Sequence, residues 1–275
     1  MDKAERSIKF LQSAAKGLEG KQFTLGFSGG KDSVVILDLA KRAGIDFKAV
    51  HSVTTFDPPG TIAFIQNNYP DVEIRKPDTT FLKLVAERGL PGRKRRFCCE
   101  ELKEKSGIGA AFIDGSRADE SGNRALYEPE QCDTRKFMKG CKHYYAILDF
   151  TERNVWSYIR EFDLPYMKYY DAPYFLPRHG CVGCPLARPE NMIREFQMFP
   201  GYAKALIRAI EKNMNDKPGN ALAKNFADGY EAFYFYIHEM SMQDVRRLKK
   251  GFFPFNAKEA IEKYIFNVKK NIQIP

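Results

Sequence analysis

The residues best suited to chemistry stand together at Ser28-Gly29-Gly30-Lys31-Asp32-Ser33. Glycines allow an anion to approach the backbone N–H groups closely, Lys31 adds a mobile positive charge, and Ser28 and Ser33 add hydroxyl donors. The apolar run Phe23 to Phe27 before them reads as a buried strand. Val34 to Ala40 after them carries apolar residues at helical spacing. Strand, tight turn and helix N-terminus aim several amides and the positive end of a helix dipole at one spot. A phosphate group fits such a spot. Asp32 adds a hard oxygen ligand suited to Mg²⁺.

The spacing excludes the commonest phosphate loops. Only three residues separate Gly26 from Gly30, and Asp32 follows Lys31, so G-x-x-x-x-G-K-[ST] is not met. The pattern G-x-G-x-x-G is also absent. The stretch resembles the PP-loop, S-G-G-x-D-S, of the adenine nucleotide alpha-hydrolase superfamily. That resemblance implies an adenine nucleotide whose phosphates, or phosphosulfate, lie on Ser28, Gly29, Gly30, Lys31, Asp32 and Ser33.

Cysteine is the second signal. The chain has six: Cys98, Cys99, Cys132, Cys141, Cys181 and Cys184. Cys98-Cys99 is an adjacent pair and Cys181-Val182-Gly183-Cys184 a CxxC. Four thiolates suit a [4Fe–4S] cluster or a tetrahedral zinc.

The combination is similar to the phosphoadenosine phosphosulfate (PAPS) reductase family, and within it to assimilatory adenosine phosphosulfate (APS) reductases. The resemblance runs from about Phe23 to Leu186. It includes Cys98 to Lys103, Gly115 to Arg124, Ile147 to Trp156, Leu164-Pro165-Tyr166 and the CxxC. It implies a [4Fe–4S] cluster on Cys98, Cys99, Cys181 and Cys184, with Lys103 close to it. It also implies Arg117 and Arg124 against anionic parts of the nucleotide. Lys31, Asp32 and Lys103 are the candidate catalytic residues.

One departure matters. Sulfonucleotide reductases end in a tail whose cysteine attacks the sulfate sulfur. Here the last cysteine is Cys184 and the sequence closes Lys269 to Pro275. The expectation is therefore ATP-dependent sulfur transfer or nucleotide activation rather than tail-thiol reduction. Relatives without the tail include iron–sulfur proteins of DNA phosphorothioation systems. The alternatives are an APS or PAPS reductase with a relocated or partner-supplied thiol, and a non-catalytic, zinc-containing nucleotide-binding subunit of a modification or defence complex.

These sites need elements to position them. A helix is expected over Ala4 to Gly17, and strands over Phe47 to Val53, Val72 to Ile74, Ala111 to Gly115 and Tyr145 to Leu148. Helices are expected over Thr61 to Asn68 and Phe81 to Arg88. The alternation predicts an α/β fold with a doubly wound, mostly parallel sheet, in which ligands bind beyond the carboxyl ends of the strands. Beyond Pro189 the pattern turns helical, over Gly201 to Asn213, Ala221 to Met240 and Ala257 to Asn267. Residues 1–188 are expected to form the nucleotide-binding core with the iron–sulfur site, and 189–275 a C-terminal helical region.

Composition bounds the rest. A chain of 275 residues, 44% hydrophobic and 29% charged, fits a globular protein. No apolar run nears the roughly 20 residues that cross a bilayer, and Met1 to Arg6 leads into no signal-peptide core. A cytoplasmic enzyme without a membrane partner is expected. The net charge of +9 points to anionic partners, either nucleotides or nucleic acid. A sulfur-donor protein and a homo-oligomer are further expected partners. Arg93 to Arg96 is a basic run before Cys98, read as a solvated loop, with a balance for anionic thiolates or a contact to a nucleic-acid backbone as the alternative. Cys132 and Cys141 flank Arg135 to Lys139 and read as ordinary thiols, with a sulfur carrier or substitute nucleophile as the alternative. His51 reads as packing. His179 reads as a loop residue or a neighbour of the CxxC. Tyr144-Tyr145, Tyr169-Tyr170 and Phe233 to Tyr236 read as core or interface, with stacking on nucleic-acid bases as the alternative.

Overall fold

The computed structural model describes residues 2–18, 20–104, 111–135, 138, 140–251 and 255–267. Lys136, Phe137 and Lys139 of the basic loop, Phe252 to Pro254 and the closing stretch 268–275 lie outside the described residues.

Among the described residues the sheet has six strands: β1 Phe23–Gly26, β2 Phe47–Ser52, β3 Glu73–Arg75, β4 Ala111–Ile113, β5 Glu130–Cys132 and β6 Lys142–Tyr144, in the order β3-β2-β1-β4-β6-β5. Neighbours are parallel except β5, which runs antiparallel to β6 at the edge. This is the expected α/β, mostly parallel, doubly wound sheet. α1 Lys3–Lys16, α2 Lys31–Ala43 and α6 Glu152–Glu161 cover one face. Leu11, Leu25, Leu39, Ile113, Tyr144, Val155 and Ile159 build the core there.

A second core gathers α4 Phe81–Arg88, α7 Pro189–Met198, α8 Pro200–Asp216, α10 Gly229–Ile237 and α12 Ala257–Ile261. Residues on both sides of position 188 enter it: Phe97, Leu102 and Val182 pack with Phe196, Phe233 and Ile261. The cysteine-bearing turns are thus seated on helical walls. α5 Phe97–Cys99 continues into a wider π-type turn over Glu100–Glu104.

Two elements differ from the expectation. The apolar run Tyr145 to Leu148 is a turn, closed by the Leu148 amide donating to Tyr145 O at 3.2 Å, and the strand lies just before it. Ile147 is apolar because it is fully buried, not because it is extended. The expected helix Ala221 to Met240 is divided into α9 Ala221–Asn225 and α10. Asn220 and Asp228 each cap a new helix start through their side chains, which ends the preceding one. α11 Met242–Lys249 follows. No helix among the described residues is long and apolar enough to cross a membrane.

Candidate nucleotide and thiol site

The loop Ser28 to Gly30 leaves the carboxyl end of β1 and enters α2 at Lys31. Gly29 takes φ +79°, a conformation costly for any side-chain-bearing residue, and the loop turns there. The Gly30 amide donates to Ser28 Oγ at 3.2 Å, and Ser28 Oγ lies 3.2 Å from Ser33 Oγ. Ser33 Oγ donates in turn to Gly30 O at 2.8 Å. The six loop residues are therefore brought together as one cradle.

Arg117 belongs to it. The residue follows β4, is 4% exposed, and its Nε donates to Asp32 Oδ1 at 2.7 Å. Asp119 and Glu120 also face its guanidinium at 3.4 and 4.0 Å. Arg124 pairs with Glu120, so it is joined to Arg117 through a shared carboxylate. Asp32 thus faces Arg117 on one side and Lys31, at 3.4 Å, on the other.

A strap from Lys168 to Cys181 crosses the loop. Tyr170 Oη accepts from the Lys31 amide at 3.1 Å. Lys31 Nζ donates to Pro177 O at 3.4 Å and lies over the Tyr170 ring. Thr61 Oγ1 donates to Pro58 O at 2.7 Å, because a carbonyl can only accept. His179 Nε2, 3.2 Å from Thr61 Oγ1, is therefore the donor to that hydroxyl, and His179 Nδ1 carries a lone pair. Burial lowers the His179 pKa to about 4, so the ring is neutral. His51 is buried as expected, and its Nδ1 donates to Phe27 O at 2.9 Å.

The strap ends at the thiols. Cys98, Cys99, Cys181 and Cys184 share one electrostatic neighbourhood, and the last three face the ammonium of Lys103. Cys181 first, with Asp57, Cys99 and Cys184, holds Lys103 charged against its burial. The hydrogen bond with Cys98 pulls the Cys99 thiol below its usual range, with help from Lys103 and Arg96, while Cys98 is pushed up. Burial opposes the charge on Arg178, but Cys184 and Glu195 hold it charged. Gly183 sits at φ +64°, and a Cβ there would lie 2.1 Å from Phe196 Cζ. Its amide donates to Glu195 Oε2 and its carbonyl accepts from Tyr236 Oη, both at 2.7 Å. Four thiols with three neighbouring cations, Lys103, Arg96 and Arg178, form a donor set that fits a metal–thiolate cluster, whose net charge is negative. Among the described residues no three His, Cys, Asp or Glu side chains are drawn in around a single ion position.

Cys132 and Cys141 are not part of this group. On the β5–β6 ladder Cys132 opposes Lys142, and the Asp133 amide donates to Cys141 O. Successive strand residues face opposite sides, so the two thiols point apart: Cys132 is exposed and Cys141 buried. Register places His143 level with Phe112 and Thr24, so Cys141 lies near the amino end of the sheet. At about 3.3 Å per residue, roughly 20 Å of strand separates that level from Ser28.

Several site residues had no signal in the sequence. Tyr170 looked like one of two packing tyrosines, and only the fold places its hydroxyl on α2. His143 is a second case. Its Nε2 lies 2.9 Å from Asp133 Oδ2 and its Nδ1 3.3 Å from Asp114 Oδ2. Burial works against its charge, but Asp114 and Cys141 raise it to about 10. Burial likewise opposes the charge on Asp133, yet Arg135 and His143 pull it down to about 2. Asp–x–Arg with a distant histidine is too common a pattern to find by spacing. The aromatic run behaves as expected, with Phe233 and Phe235 in the core.

The family model for the phosphoadenosine phosphosulfate reductase domain matches residues 22–187. The adenosine 5'-phosphosulfate reductase of Oceanobacillus iheyensis is 30% identical over 199 residues, covering 66% of this chain and 79% of that protein. An uncharacterized protein of Methanocaldococcus jannaschii is 27% identical over 208 residues, covering 71% of this chain and 50% of that protein. The chain thus spans about half the length of that relative. Among solved structures, phosphoadenylyl-sulfate reductase from Candida auris in its phosphate complex is 16% identical with a TM-score of 0.48, covering 64% of this chain and 87% of that one.

Proposed function

The chain belongs to the phosphoadenosine phosphosulfate reductase domain family, and from that premise we propose that it is an enzyme of sulfur chemistry that binds an adenine nucleotide at Ser28 to Ser33. The observation that carries the reading is the strap: one segment touches the phosphate loop through Tyr170 and Pro177 and supplies Cys181 to the thiol group. Cys98, Cys99, Cys181 and Cys184 would hold a [4Fe–4S] cluster, with zinc as the alternative. Such a cluster supplies electron transfer or a Lewis-acidic iron.

The preferred reaction is ATP-dependent. An acceptor oxygen attacks the α-phosphorus and pyrophosphate leaves; a sulfur nucleophile such as hydrosulfide then displaces AMP. Lys31 and the loop amides would stabilise charge on the leaving phosphates, Arg117 and Arg124 the remaining anionic oxygens, and Asp32 would help hold Mg²⁺. This reading is favoured because neither Cys132 nor Cys141 stands at the loop, so among the described residues no cysteine outside the four is placed to attack a sulfonucleotide. The second reading, APS or PAPS reduction with a thiol supplied in trans, is favoured by the likeness to an APS reductase.

Anaerobically purified protein is to be tested with ATP, Mg²⁺ and candidate nucleic-acid acceptors for pyrophosphate, and with APS plus a thiol reductant for sulfite. Pyrophosphate release lost in Ser28→Ala/Lys31→Ala supports the first reading. Sulfite without pyrophosphate replaces it with the second. Undiminished nucleotide affinity in the double variant removes both.

A further inference from the structure

We propose that Tyr170 is a latch on the phosphate loop, its hydroxyl occupying the first amide of α2 until a polyphosphate displaces it. The inference rests on the nucleotide reading above and adds a residue and a motion to it. The first amides of a helix have no partner within the helix, and they are what a phosphate loop offers its ligand. Here the amide of Lys31 is already taken, by Tyr170 Oη at 3.1 Å. The phenol lies directly on the loop backbone: a Cβ on Gly30 would be 3.3 Å from it.

Two further donors of the loop, the Gly30 amide and the Lys31 ammonium, are engaged as well. Ser28 Oγ accepts the Gly30 amide at 3.2 Å. Lys31 Nζ is held at 3.4 Å by Pro177 O, at 3.4 Å by Asp32 and at 3.8 Å by Glu152, and it lies 5.4 Å from the centre of the Tyr170 ring. These three donors are therefore held by neutral or weakly placed acceptors. Hydrogen bonds to a charged phosphate oxygen are about twice as strong as neutral ones, so a polyphosphate wins both the amide and the ammonium.

Release of Tyr170 reaches the thiols. Its hydroxyl and the Cβ of His179 lie side by side over Gly30, 3.3 and 3.5 Å from where a Cβ on that glycine would stand. When phosphate takes the amide and the ammonium of Lys31, the strap loses two anchors to the loop, at Tyr170 and at Pro177, and Cys181 lies four residues beyond the second. Nucleotide binding and the setting of Cys181 are linked, and the linkage acts in both directions.

Trp156, the one tryptophan of the chain, packs edge-on against Tyr170 at 5.1 Å and reports its movement. The full chain is titrated with pyrophosphate and with Mg–ATP by calorimetry, and in parallel by tryptophan emission. Tyr170→Phe, checked for folding by circular dichroism, is titrated the same way. The expected results are a saturable change in Trp156 emission with the calorimetric Kd, and binding about three- to tenfold tighter in Tyr170→Phe. Pyrophosphate binding that leaves Trp156 emission unchanged overturns the latch while the nucleotide reading stands. Equal or weaker binding in a folded Tyr170→Phe does the same. Failure of either probe to bind wild type or variant overturns the nucleotide reading, and the latch with it. The wild-type emission carries the test if the variant does not fold.

Discussion

Arg117 Nε donates to Asp32 Oδ1 at 2.7 Å, which ties the loop after β4 to the first turn of α2. The guanidinium is buried and Asp32 is also 3.4 Å from Lys31, so the two loops share a chain of alternating charges. This sets the relation between the carboxyl ends of the two central strands, β1 and β4, which are hydrogen-bonded neighbours.

Removing one member of a buried pair leaves the other charge uncompensated. Arg117→Met should lower stability by about 2–4 kcal/mol in urea denaturation, while Arg117→Met/Asp32→Asn should lose less than the sum of the single changes. Nucleotide affinity should fall in both variants. Additive losses would show that the pair does not act as a unit.

Gly183 carries a backbone prediction. Its φ of +64° and the 2.1 Å approach of a would-be Cβ to Phe196 Cζ act together. Gly183→Ala should cost about 2–5 kcal/mol, because strain and overpacking fall on one residue. Phe196→Leu should recover part of that loss by opening space, leaving the positive φ as the remainder. Thermal unfolding of the three proteins checks it.

The loop Ser28 to Ser33 and the paired cysteine motifs were legible because each acts through local geometry or residue identity. Glycine, lysine and hydroxyl residues between a strand and a helix have few other arrangements. The sheet followed from the alternation of periods. What was not legible depends on distant contacts. Tyr170 meets Lys31 across the strap, and His143 meets Asp114 and Asp133 from three separate segments. The turn at Tyr145 to Leu148 was hidden because burial of Ile147 gives the same apolar signature as a strand.

The His143 cluster makes stability depend on pH. The folded pKa is raised to about 10, so its contribution is complete below the unfolded value near 6.5 and is lost as pH rises through 10. Asp133 is depressed to about 2, so its contribution is present above about 3.8 and lost as pH falls towards 2. Stability from this network should therefore be greatest between about pH 4 and 6.5. His143→Gln should destabilise by a few kcal/mol at pH 6, roughly what the raised pKa implies, and the difference from wild type should close above pH 10. A difference that stays constant from pH 6 to 10 would falsify an imidazolium at this position.

The thiol group makes the last prediction. If four thiolates hold a [4Fe–4S] cluster, anaerobically purified protein should be brown, with about four irons and labile sulfide per chain. Cys181→Ser should lose most of the iron and also stability, because the metal joins the turn at Cys98 and Cys99 to the end of the strap. Lys103 distinguishes a cluster from a structural zinc. Its ammonium is surrounded by Cys181, Cys99 and Cys184 and is not itself a ligand. Reduction adds an electron to an already anionic centre, and a neighbouring positive charge favours the reduced form. Lys103→Met should therefore retain iron but move the reduction potential to a more negative value, read by redox titration with electron paramagnetic resonance. Cys99 would remain bound in that variant, so the visible absorption of the cluster should persist. Colourless protein holding one zinc would sink the cluster, and an iron-replete Lys103→Met with an unchanged potential would place the ammonium too far from the metal to act on it.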